Sequence, residues 1–573
     1  MSRFLSKLSL YLVLPLILQN TACANPTTSA KASLLWDEYE QTPDSHPNIP
    51  NCSYSGYQYG ERSIPRIVGP IYNVTTFGAR GDGQSDDTAA IRAAIAAVGS
   101  DGGVVWFPDG RYAVRGVLFV HTDRTVLRGQ SQTGTEIIFT QPLDRGYGTF
   151  FYTAASGERA TRWTYSGGLI WFGPKSRGNT YRPHAEPDSP IQNDEFAERW
   201  LTTGNEISVT TSARRGDSTI ILERDSAAGL KPGDFVLLRQ TDPGDYSLVK
   251  HLAGGGAWAE NYDWQHGKQG AAWPRPSPLQ WVVEIAAIKD PSEGQSLTRV
   301  LTLRQPLRFD IRSDWTPVVQ RLGSLLRESG IEDMTLRFNR PYEWSISMHH
   351  REEGWNAPYF NNAVHCWLRD VTMIDVDNGP NLSCAKLITL SGFTIKASSA
   401  RTLAHHHGTL TRNGSHDNLI TDFRIESRPW HGLNVESFSS GNVWTRGTLE
   451  HGVFDSHRKM PYDGIRTDIT MIANDGRHGG GGGPLMGARF VNWNIRTPSG
   501  ENYIVGWANA TPSGAIVGLQ GSTPTWKAQA NRTPSGESSS GCRIESPGEL
   551  PEPSNLYQAQ LQLRLKKQQP SPR

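Results

Sequence analysis

The chain has 573 residues, with 57 Lys+Arg against 56 Asp+Glu, so its formal charge is only +1. A balance that near zero removes the electrostatic case for nucleic acid or an anionic membrane surface as partner. Glycine (58) and tryptophan (18) are plentiful, which suits sugar stacking and an aromatic core equally. Length alone suggests several domains, an inference that fails for solenoids because they grow by adding coils.

At the N-terminus, Arg3 and Lys7 precede the apolar run Leu8 to Leu18, and Ala22-Cys23-Ala24 offers a small-residue cleavage site. This is the pattern of a secretory signal over residues 1–24, too short to span a bilayer. The expected location is secreted or periplasmic. Cys23 raises a lipoprotein alternative, disfavoured because Asn20 stands where an apolar residue is wanted. Four further cysteines, Cys52, Cys366, Cys384 and Cys542, leave any disulfide connectivity open.

After an extension over 25–70, the stretch Val74 to Tyr112 is the most specific in the chain. Val74-Thr75-Thr76-Phe77-Gly78-Ala79-Arg80-Gly81-Asp82-Gly83 leads into Ser85-Asp86-Asp87-Thr88, an alanine-rich helix and Gly102-Gly103-Val104-Val105-Trp106-Phe107-Pro108-Asp109-Gly110. Ser85 is the expected helix N-cap, with Asp86 and Asp87 in the first turn. Ile91, Ala94, Ile95 and Val98 recur at helical spacing and form its buried stripe. That order resembles the opening of pectate-lyase, rhamnogalacturonase and epimerase-like proteins. The resemblance implies an all-β, right-handed parallel β-helix with an N-terminal capping helix, and a carbohydrate-active scaffold.

The cap helix and first coils occupy 71–146. From 147 to 317 alternation around Arg215-Gly216-Asp217 and Pro232-Gly233 predicts a β-rich insertion, with Gly254 to Trp273 as a long surface loop. The main coils, 318–510, repeat one strand pattern at Val371, Phe393, Phe423, Gly447, Ile469 and Trp493, with offsets of 22, 30, 24, 22 and 24 residues. Within one strand, Leu419, Thr421, Phe423 and Ile425 are expected inward, and Ile420, Asp422, Arg424 and Glu426 outward. Residues 511–573 form a C-terminal wrap, a helix from Leu556 to Leu565 over the last coil, and a tail.

Two consecutive coils align: His407-Gly408 lies eleven residues before Asn418, and His431-Gly432 eleven before Asn442. Stacked coils would set these imidazoles in a row, with His451-Gly452 opening the next coil. Near them fall Arg412, Glu436, Asp455, His457, Arg458, Lys459, Tyr462, Asp463 and Arg466, and upstream His349, His350 and Asn356.

Elimination from a uronic-acid polysaccharide needs a cation for the carboxylate, a base for the C5 proton and an acid for the leaving oxygen. His457 or His431 is the expected base, Tyr462 the acid, and Arg458, Arg466 or Lys459 the carboxylate partner. His407, Arg412, Glu436, Asp455, His350 and Asn356 complete a polysaccharide-binding groove. His431 also reads as a buried ladder residue, since it shares parity with Leu433 and Val435. C5 epimerisation uses the same proton abstraction. Hydrolysis would need two carboxylates, with Asp455, Asp463 and Glu436 nearest, and a non-catalytic glycan-binding adhesin is the remaining class. No metal is required; the resemblance admits Ca2+, for which Asp375, Asp377 and Asn378 offer oxygens, and clustered histidines can take Zn2+ or a similar ion, though His405-His406-His407 lacks helical ligand spacing. The chain is expected to act as a monomer.

Overall fold

The computed structural model describes residues 30–153, 157–175, 198–264, 278–290, 298–456, 459–473, 485–500, 507–526 and 540–569. The proposed signal peptide, Cys23, His457 and Arg458 lie outside them. So does the second half of the Gly254 to Trp273 tract; its first half holds a helix, Gly256–Asn261, with Trp258 and Trp264 buried rather than a bare surface loop.

Two parallel sheets wind along the chain, one of 8 strands and one of 16. The smaller contains Leu118–Val120, Ile170–Phe172, Tyr359–Val364, Asn381–Lys386, His405–Arg412, Pro429–Val435 and Phe454–Ser456. Successive coils cross both sheets, which makes the molecule a parallel β-helix. Ile170–Phe172 pairs with Leu118–Val120 and with Tyr359–Val364, so the solenoid passes through the stretch read as insertion.

Register runs Trp367, Thr389, Leu419, Val443, Ile465, Val491, Ala515. The step from Ile465 to Val491 is 26 residues, because Ile469 faces Ile495 and not Trp493. Inside the helix, equal positions stack like on like: Phe172 on Phe360 at 4.8 Å, Phe139 on Phe338 at 5.3 Å and Phe393 on Phe423 at 5.7 Å between centroids. Each buried ring contributes about 1.5–3 kcal/mol.

Simple alternation fails within the strands for a definite reason. Asp333, Asp370, Gly392, Asp422, Arg446, Asp468 and Asn494 form one column with φ between 49° and 65°. The chain turns a corner there, and Asp, Asn and Gly are the residues that tolerate this conformation best. Across the corner the alternation changes phase. Ile420, expected outside, is buried in the core with Phe423 and Ile425, while Leu419 turns out against the N-terminal segment. Side chains of the column pair across coils: Arg446 holds both oxygens of Asp422 at 2.7 Å, and Arg496 reaches Asp468 at 3.0 Å.

The helix near the N-terminus spans Thr88–Ala96, and its N-cap is Asp87, not Ser85. The Asp87 carboxylate instead accepts from the amides of Arg80 (2.7 Å) and Gly81 (3.2 Å), fastening the glycine turn to the helix start. Ile91, Ala94, Ile95 and Val98 join the main core.

The intervening segment folds as an antiparallel sheet in the order Thr202–Ser208, Val318–Leu322, Phe235–Gln240, Leu279–Lys289, Thr298–Leu303, Thr219–Glu223. Its core takes in Phe438, Met460 and Tyr462 from the coils. An ionic seam joins the two parts: Arg308 and Lys386 both bind the Asp417 carboxylate, and all three are buried. Burial opposes the Asp417 charge, but the two cations prevail and hold its pKa at about 2. The C-terminal helix, Leu556–Gln568, packs with Val443, Ile465 and Val491 along the flank of several coils instead of over the last one. The four cysteines are unpaired.

Asp417→Ala leaves two buried cations, Arg308 and Lys386, without the carboxylate they share and should cost about 3–5 kcal/mol. Arg446→Ala, at an exposed pair, should cost less than about 1 kcal/mol. Equal losses in urea unfolding would show that the seam carries no special burden. A pH effect follows from His365, packed among Tyr57, Tyr59 and Phe235. Burial pushes its pKa down to about 3, against about 6.5 unfolded. The neutral ring's contribution is complete above pH 6.5 and is lost as pH falls toward 3, by about 1.4 kcal/mol per unit. Unfolding midpoints should drop from pH 7 to pH 5, and His365→Gln should flatten that slope; an unchanged slope would show that His365 titrates normally.

Candidate active site

The histidine row rests on backbone contact between coils. A side chain on Gly408 would meet the Gly432 carbonyl oxygen at 2.9 Å, and one on Gly432 would meet that of Val453 at 1.9 Å. Glycine after each histidine is therefore required, and it sets His407 opposite His431 in register. The column continues backwards through Asn378 to Asn356. His451 does not join it: it ends the strand Val443–His451 in the other sheet, facing Ala473.

This column is a chain of fixed hydrogen bonds. Asn356 donates its amide to the carbonyls of Trp163 (2.8 Å) and Ser166 (2.9 Å), which can only accept. Its Oδ1 therefore accepts from Asn378 Nδ2 (2.8 Å), which also donates to the Thr164 carbonyl (2.9 Å). That leaves Asn378 Oδ1 to accept from His407 Nδ1 at 2.7 Å. Nδ1 carries the proton, and the His407 lone pair sits on Nε2.

His407 lines a cleft of about 170 Å3 together with Tyr165, His349, His350, His406, Leu410, Arg412, Asn413, Asn434, Glu436, Ser437 and Lys459. The structure thus brings together His350, His407, Arg412, Glu436 and Lys459. Arg412 is held by Glu436 (2.9 Å) and Glu198 (3.6 Å), donates to the Tyr165 carbonyl (2.5 Å) and lies 4.9 Å over the Tyr165 ring. His431 is buried beneath the lining, stacked on His407 at 5.0 Å, with Nδ1 3.3 Å from Asp455 Oδ1. Asn356 and Asp455 are likewise buried supports.

Three candidate residues lie elsewhere. Tyr462 is fully buried in the insertion core, 6.3 Å from the Phe309 ring, and burial raises its pKa, so it does not reach the cleft as an acid. Arg466 lies inside the coil, against the Phe454, Phe490 and Trp444 rings, and donates to the Asp455 carbonyl (3.1 Å). Burial lowers its pKa to about 9, with Asp455 opposing; it is a core cation, not a carboxylate clamp. Asp463 is held by Arg489 at 2.6 Å, away from the cleft lining.

The suggested Ca2+ oxygens do not form a cage. Asp377 is buried, with its carboxylate taken by Arg340 (3.1 Å), Tyr342 (2.7 Å) and the Trp355 amide (3.0 Å). The Asn378 oxygen serves His407, and Asp375 accepts from the Ser398 amide (3.0 Å). These residues do not fit that ion.

His349 and His406 belong to histidine runs legible in the sequence, His349-His350 and His405-His406-His407, but neither had an individual role there. Tyr165 gave no signal, because it comes from a stretch whose place against the coils is a tertiary fact.

Residues 71–163 match the family model described as rhamnogalacturonase A/epimerase, pectate lyase-like. Mannuronan C5-epimerase AlgE5 of Azotobacter vinelandii is 63% identical over 46 residues, 8% of this chain and 5% of that protein. Alginate lyase 7 of Azotobacter vinelandii is 59% identical over 46 residues, again 8% of this chain and 5% of the relative. The chain therefore spans about one-twentieth of the length of these curated relatives. The tailspike gp61 of Pseudomonas phage phi297 has a TM-score of 0.36 at 12% identity, over 79% of this chain and 73% of that one.

Proposed function

We propose that the protein is an exported enzyme acting on a uronic-acid-containing polysaccharide by abstraction of the C5 proton, with β-elimination as the outcome. The observation that carries this reading is the tautomer of His407 at the cleft, fixed by the Nδ1–H bond to Asn378 Oδ1. A histidine base is tuned for work near neutral pH. Lys459 supplies positive charge for the uronate carboxylate, which makes the C5 proton more acidic by stabilising the enolate. Tyr165 is the phenol that delivers a proton to the leaving oxygen, in place of Tyr462. Arg412, tied to Glu436 and Glu198, positions Tyr165 rather than binding substrate.

Hydrolysis is less well supported. It needs two carboxylates flanking the bond, and among the described residues the cleft is lined by one acidic side chain, Glu436, which Arg412 engages. Epimerisation at C5 is the second reading, favoured by the AlgE5 similarity; it shares the base and returns a proton from the opposite face. Among the described residues no helix is long and apolar enough to cross a membrane.

Uronic-acid polymers treated in heavy water provide the test. Elimination gives the ultraviolet absorbance of an unsaturated uronide, and epimerisation gives deuterium at C5 without it. His407→Ala should cut either signal about 100- to 10,000-fold, and Tyr165→Phe should cut elimination with little loss of stability. New reducing ends without absorbance or exchange would replace the proposal with hydrolysis. Retention on a polymer column with no chemical change would replace it with a binding module.

A further inference from the structure

Beside His407 stands a second group of imidazoles that the proton-transfer reading does not use. His349 follows the turn Ile346–Met348, His406 belongs to the strand His405–Arg412 and His431 to Pro429–Val435. One ring nitrogen from each lies within 4.8 Å of the other two. The ring centroids of His349 and His406 are 4.7 Å apart, and those of His406 and His431 are 5.3 Å apart.

Two of the three rings are backed by buried carboxylates. His406 Nδ1 lies 2.9 Å from Glu352 Oε1, and His431 Nδ1 lies 3.3 Å from Asp455 Oδ1. Glu352 is itself fixed by the Thr164 hydroxyl (2.7 Å) and Trp344 Nε1 (3.2 Å), and Asp455 by the Asn434 amide. Trp344 also stacks on the His406 ring at 5.3 Å. A carboxylate that accepts from a histidine's second nitrogen orients the ring and raises its donor strength, and Glu352 and Asp455 stand within reach of that role.

We propose that His349, His406 and His431 form a binding site for a divalent transition-metal ion of the Zn2+ type, with Glu352 and Asp455 as its outer carboxylates. Three imidazoles suit such an ion and do not suit Ca2+ or Mg2+, which take oxygen ligands. Tetrahedral Zn2+ with bonds of about 2.0–2.1 Å spaces its nitrogens about 3.4 Å apart. The ion would therefore draw the rings inward, and the half-exposed His349 on its turn can move most easily. Three protein ligands leave a fourth position at the cleft for water or an anionic oxygen such as a carboxylate. The inference does not rest on the proposed reaction, because occupancy is read directly.

The full chain is stripped with a chelator and titrated with Co2+, whose visible absorption reports tetrahedral nitrogen coordination. One equivalent should bind, with Zn2+ displacing it and excess Ca2+ leaving it in place. His349→Ala, at a half-exposed turn position, should fold with an unchanged urea midpoint and lose the absorption. Glu352→Gln should weaken binding about 10- to 100-fold, and His451→Ala, in the other sheet, should bind as wild type. Absence of a stoichiometric site, displacement by Ca2+, or binding undiminished in His349→Ala would each overturn the proposal.

Discussion

Everything in this molecule depends on in-register parallel stacking. Neighbouring strands lie about 4.8 Å apart, so a residue meets its counterpart in the next coil before it meets anything else. Whatever occupies a position must pack or bond with what occupies the same position above and below. The corner column solves this with paired opposite charges, Arg446 on Asp422. The Asn418–Asn442 pair solves it with an amide bond of 2.9 Å. In the row Asn356–Asn378–His407 each side chain settles the hydrogen-bonding role of the next, and His431 stacks on the last ring.

The same constraint explains where charge is tolerated. A buried ion pair gains little over an apolar replacement, but loss of one partner is costly. The Lys386–Asp417–Arg308 seam therefore specifies where the antiparallel sheet meets the coils more than it stabilises either part. Arg466 is the counterpart inside the coil: three aromatic rings receive its guanidinium, and Asp455 supplies its countercharge. Asp455 is thus shared between the interior cation and His431 at the edge of the site.

Much of the fold was legible in the sequence because stacking imposes a period. The offsets from Val371 to Ile469 could be read directly, and the His-Gly pairs marked two neighbouring coils. Three features were not legible. The phase change at Asp422 depends on a left-handed corner, which breaks the alternation that placed Leu419 inside and Ile420 outside. Tyr462 and Arg466 lie within a few residues of the site in sequence, but they face the insertion core and the coil interior; direction, not distance along the chain, decided against them. Tyr165 and Glu352 reach the site from loops, and no periodic pattern encodes that approach.

The row also shows how one geometry separates two kinds of imidazole. His407 is backed by the oxygen of a neutral amide, which fixes its tautomer. His406 and His431 each have a buried carboxylate near Nδ1, a neighbour that suits a ring to ligate through its other nitrogen. The proposed roles, His407 as base and His406 and His431 as ligands, rest on the group beside each ring: a neutral amide for the first and a carboxylate for the other two.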